Sequence, residues 1–72
     1  MEQRLEVGDF VVVGRSEARL DGFFNSSACV TPAGQAGTPP TAIHFSETFR
    51  TERAAVAYAV ERVTSRVKDG TL

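Results

Sequence analysis

Apolar and polar positions alternate with a period of two over most of the first fifty residues, then give way to a helical period, and that single change of rhythm organises the chain. The opening "MEQRLEV" alternates weakly and runs into Gly8-Asp9, a dipeptide suited to a turn, so residues 1–8 read as a short edge strand or a frayed terminus. "DFVVVG" follows, and its β-branched valines favour an extended chain, giving a strand over Phe10–Arg15 with room to run on toward Leu20. Asp21-Gly22 suits a tight hairpin turn. In "FFNSSACVT" the set Phe24, Ser26, Ala28, Val30 alternates with Phe23, Asn25, Ser27, Cys29, Thr31, which is the pattern of a half-buried strand. "PAGQAGTPP", residues 32–40, breaks that pattern with three prolines and two glycines and is expected to be the most mobile loop. "TAIHFS" then resumes the alternation, with Ile43 and Phe45 on one side and Ala42, His44 and Ser46 on the other.

The strands on either side of the proline loop can be registered by their faces. For Ala28 and Val30 to share a core with Ile43 and Phe45, the numbers of opposed residues must add to an odd value of about 71 or 73, because a one-residue slip turns a whole face outward. Cys29 and His44 then share the outer face and could be directly opposed.

The helix is expected over residues 51–68. Thr51 serves as its N-cap, Glu52 sits near the positive end of the dipole, and Gly70 ends it. At 100° per residue Val56, Val60, Val63 and Val67 form a stripe, flanked by Ala59 on one side and by Arg53 and Thr64 on the other, and a charge at Val60 is expected to unfold the chain. The fold class implied is α+β: a three-stranded antiparallel meander, four-stranded if residues 1–8 form a strand, with one C-terminal helix packed on one face.

Composition narrows the function more than it defines it. At 72 residues the chain is one domain near the lower size limit for a single core, and small scaffolds of this kind lean on disulfides, metals or partner subunits. One cysteine, Cys29, excludes an internal disulfide, fits a reducing compartment, and leaves a partner subunit as the remedy. No apolar run is long enough for a membrane span or a signal peptide, so the expected location is cytoplasmic. A net charge of -1 and a pI near 5.7 do not provide the positive footprint that phosphate backbones require. No glycine-rich phosphate loop is present and no cofactor is implied.

Tyr58 lies about 200° from Val56 on the expected helix, opposite the valine stripe, with Ala54, Glu61, Arg62 and Ser65 around it. A tyrosine set among small and charged residues reads as an interface anchor. One helix cannot cover both faces of a sheet, so Phe23 and either Val11/Val13 or Phe10/Val12 are expected to point away from it, with His44 on the same bare side. Tyr58, Arg62, Phe23 and His44 are therefore the candidate interface residues. Cys29 with His44 offers a nucleophile and a base, but an open sheet face supplies neither a pocket nor an orienting third group. These two side chains also fall short of the ligands that zinc requires.

At "FRTERAAVAYA", residues 49–59, the chain resembles the strand–turn–helix end of small uncharacterised bacterial β-β-β-α proteins. It also resembles the DNA-binding domain of plant ethylene-response factors, a three-stranded sheet followed by a helix with an alanine–tyrosine step. That second resemblance implies a sheet that reads DNA through arginines and tryptophans. This chain has no tryptophan, and Arg15, Arg19 and Arg50 are the basic residues available for such a role. The sequence thus leads to the expectation of a non-enzymatic interaction module, homodimeric or bound to another protein, with nucleic-acid binding and thiol chemistry at Cys29 as the alternatives.

Overall fold

The computed structural model describes residues 1–34, 37 and 39–70. Four antiparallel strands, β1 (Glu2–Val7), β2 (Phe10–Ala18), β3 (Phe24–Pro32) and β4 (Thr41–Phe49), form one open sheet in the order β1-β2-β3-β4, and α1 (Glu52–Asp69) packs on one side of it. Residues 2–7 are thus an edge strand, paired with β2 from Glu2↔Arg15 to Val7↔Phe10. Gly8 turns that hairpin at φ 56°, a value open to glycine at little cost.

Strand β2 ends at Ala18, short of Leu20, because the next turn closes early. The Arg19 amide donates to the Phe23 carbonyl (2.9 Å), and the Asp21 carboxylate accepts from the Phe23 amide (3.1 Å). That amide, helped by the Arg19 guanidinium, holds the Asp21 carboxyl below its ordinary value. Of the loop expected at 32–40, Pro32 belongs to β3, while Gln35, Ala36 and Thr38 lie outside the described residues, and with them the expectation of mobility.

Both register values occur. Ser27↔His44, Ala28↔Ile43, Cys29↔Ala42 and Val30↔Thr41 sum to 71, whereas Phe24↔Phe49 and Asn25↔Thr48 sum to 73, with a bulge between the two sets. Opposite Ser26 the β4 strand inserts Phe45, Ser46 and Glu47. Two extra residues bend the strand without changing which side faces the helix.

The helix is capped as its sequence requires. Thr51 is extended (φ -130°, ψ 152°) and its Oγ1 accepts from the Ala54 amide at 3.1 Å, while Gly70 (φ 72°) returns its amide to the Arg66 and Val67 carbonyls. The core is small in its side chains: Val7, Val12, Ala28, Val30, Ala59 and Val63, with Phe10, Ile43, Phe45 and Val67 packed around it.

The face that α1 buries differs from the expected valine stripe. Ala55, Val56, Ala59 and Val63 are buried, whereas Val60 and Val67 are half-buried, so the contact arc is turned by roughly 50° toward the alanines. The reason is close approach. The alanines let the helix backbone settle on the sheet, the buried Ser26 hydroxyl donates to the Ala55 carbonyl at 2.6 Å, and Gly14 lies directly beneath the Val56–Val60 turn. A β-carbon at Gly14 would stand 2.6 Å from Val60 Cγ2 and 3.0 Å from the Val56 carbonyl oxygen. Val60 therefore sits on the flank, and Val56 and Val63 are the positions at which a charge would be most disruptive.

Candidate functional site

The turned helix moves Tyr58 from the outward side to the flank above β4. Its ring meets Phe45 edge-on (centroids 5.3 Å apart, 88°) and Phe49 at a tilt (5.0 Å, 46°), and its hydroxyl donates to Glu47 Oε2. Arg62 covers the other ring face, its guanidinium carbon 5.7 Å from the centroid. The Tyr58 bond, with a second from Ser46 (3.0 Å), holds the Glu47 carboxyl below its ordinary 4.5, and the same bond, burial and the Glu47 charge push the tyrosine above 10.0. The expected outward anchor of Tyr58 and Arg62 is instead an internal clasp that ties α1 to the bulged end of β4. Glu47 lies beyond the end of the strand read from "TAIHFS", although the same alternation that sets Phe45 on the helix side carries Glu47 and Phe49 there as well.

Phe23 is separate from this clasp. It lies in the turn before β3, at the border of exposure, with both backbone polar groups used inside that turn. The bare side of the sheet is carried by others. Val12, Gly14, Ala28 and Val30 are buried beneath α1, so their neighbours Val11, Val13, Cys29 and Thr31 face away, and each is half-buried by the residues beside it. Cross-strand rows on this side read Glu6–Val11–Thr31, Arg4–Val13–Cys29–Ala42 and Glu2–Arg15–Ser27–His44. The result is a narrow apolar patch rimmed by charges of both signs.

His44 shares this side with Cys29 but does not oppose it. Cys29 pairs with Ala42 and His44 with Ser27, so thiol and imidazole stand on a diagonal rather than in the direct cross-strand pair that the larger register sum would have given. His44 instead borders a polar hollow of about 300 Å³ at the bulge, with Glu17, Arg19, Asn25, Ser27 and Ser46. Among the described residues no cluster of three or more His, Cys, Asp or Glu side chains is placed to hold a metal.

The three candidate nucleic-acid residues are scattered, and two are already neutralised. Arg15 Nε donates to Glu2 (3.0 Å), and Arg19 donates to Asp21 (3.2 Å) and Asn25 (3.0 Å). Arg50 is exposed at the corner between β4 and α1. Among the described residues these three arginines do not combine into one positive patch.

A further surface lies where α1 stops short of the sheet edge. Between β1 and the helix runs an open trough of about 490 Å³, mostly apolar, walled by Leu5 and Gln3 on one side and Ala57, Val60, Thr64 and Lys68 on the other. Leu5 is 38% exposed there. Thr64 Oγ1, in the helical wall, is buried and has no hydrogen-bond partner among the described residues. The sequence carried a faint sign of this surface, the alternation Gln3-Leu5-Val7 against Glu2-Arg4-Glu6.

No helix among the described residues is long and apolar enough to cross a membrane. Comparison with protein-family models, with curated proteins and with solved structures found no match, so the resemblance at residues 49–59 rests on those residues alone.

Proposed function

We propose that this chain is a non-enzymatic, cytoplasmic protein-interaction module that works as a homodimer. One observation carries the reading: a single helix covers the middle of one side of a four-stranded sheet, so apolar side chains remain without a second layer both on the bare side (Val11, Val13, Cys29) and beside the β1 edge (Leu5, Val60). A core of valines and alanines in 72 residues has little stability to spare, and covering such surface with a second subunit is the remedy that needs neither metal nor disulfide. The lone, half-buried Cys29 suits a reducing compartment. The clasp of Tyr58 and Arg62 supports the interface only indirectly, by holding the helix in place.

Sedimentation equilibrium from micromolar to millimolar concentration tests the proposal. The expected result is a mass rising from 7.8 kDa toward twice that value. A chain that remains at 7.8 kDa throughout refutes it.

A further inference from the structure

We infer that the seam between the two copies is β1 itself, paired antiparallel with β1 of a second copy about a two-fold axis at Leu5, which makes one continuous eight-stranded sheet. The inference rests on the homodimer reading and names its surface.

The sheet has two edges, and they are not equivalent. The β4 edge is interrupted by the bulge and preceded by Pro39-Pro40, whereas β1 is six residues of unbroken register. The phase of its backbone follows from the Ser16 amide, which donates to the Met1 carbonyl (3.2 Å). Because hydrogen-bonded pairs alternate along an antiparallel ladder, Gln3, Leu5 and Val7 turn their backbone groups toward β2, while Glu2, Arg4 and Glu6 direct theirs away from the sheet. A second β1 must therefore bond through those three residues.

Charge selects among the two-fold registers that this phase allows. With Arg4 opposite Arg4, Glu2 falls opposite Glu6 and every pair is repulsive. With Glu2 opposite Arg4 the overlap shrinks to the first few residues. With Arg4 opposite Glu6 of the second copy, residues 3–7 overlap, both charge pairs are attractive, and Leu5 meets Leu5 in a non-hydrogen-bonded pair, where side chains approach most closely. Neither Arg4 nor Glu6 forms an ion pair within the chain among the described residues, so both charges are unspent. The two leucines project to the helix side, where each lies beside a trough with room for it.

Amide exchange and sedimentation on the full chain test the seam, with the variants Arg4→Glu, Glu6→Arg and the double exchange. In the dimer, the Arg4 and Glu6 amides should be protected. Each single variant should weaken association roughly ten-fold or more by placing like charges opposite each other twice, and the double variant should restore it. A dimer in which those amides exchange freely and the charge variants have no effect overturns the seam and leaves self-association standing, through the bare sheet face. A double variant no tighter than the singles overturns the register centred on Leu5. A chain that stays monomeric at millimolar concentration overturns both this inference and the reading it rests on.

Discussion

Replacing Gly14 by alanine adds one carbon at the tightest contact between helix and sheet. Gly14 has a negative φ, so the backbone itself admits alanine, and the loss of unfolded-state freedom would stabilise the protein by about 0.4–1 kcal/mol. Against this, the new Cβ meets Val60 Cγ2 at 2.6 Å and the Val56 carbonyl at 3.0 Å, and the second of these is backbone that only a shift of the whole helix can relieve. Overpacking of this kind costs about 1–3 kcal/mol, so the net expectation is a loss of about 1–2 kcal/mol. For a domain of this size, whose total stability is roughly 4–11 kcal/mol, that lowers the melting temperature by roughly 5–15 °C. Thermal unfolding followed by circular dichroism measures it. The double variant Gly14→Ala/Val60→Ala should be more stable than the sum of its single effects, because truncating Val60 removes the closest contact. A Gly14→Ala protein that melts at or above the wild-type temperature would refute the close approach.

Two further outcomes are expected. Thr51→Ala removes the cap on the Ala54 amide and should cost about 1 kcal/mol, read as a lower urea midpoint with an unchanged slope; an unchanged midpoint would mean that the first turn is held elsewhere. The Tyr58–Glu47 clasp makes stability depend on pH at both ends: the depressed Glu47 contributes fully above its unfolded value of 4.5 and is lost as pH falls through its lower folded value, and the raised Tyr58 contributes fully below 10.0 and is lost as pH rises through its higher folded value. Tyr58→Phe should therefore lower the melting temperature most between those limits and less outside them, and a difference that is flat with pH would count against the clasp.

What could be read from the sequence was whatever depends on period and local chemistry. The alternation in β3 and β4 placed Ala28, Val30, Ile43 and Phe45 on one side and narrowed the register to two values, both of which occur on either side of an unforeseen bulge, and Thr51 and Gly70 marked the helix ends. Packing depth was hidden. Weighting the helix by its valines pointed the wrong arc at the sheet, because the buried face is set as much by where small residues permit contact as by where large ones seek it, and Gly14, Ala55 and Ala59 together decide that. Tyr58 and Arg62 followed the same error, having been placed by angle from a stripe that was itself misplaced. The first residues were legible only as an edge strand or a frayed terminus, and the trough beside them exists because α1 sits over β2 and β3, which no local pattern announces.

The inserted pair of residues in β4 also sets which length changes this fold can absorb. Removing two of Phe45, Ser46 and Glu47 would straighten the strand and leave Phe49 above the same neighbours, whereas removing one would carry Phe49 to the wet side and Thr48 into its place. Length variation here should therefore be tolerated in even steps and rejected in odd ones, a parity rule written into the chain by a single irregularity.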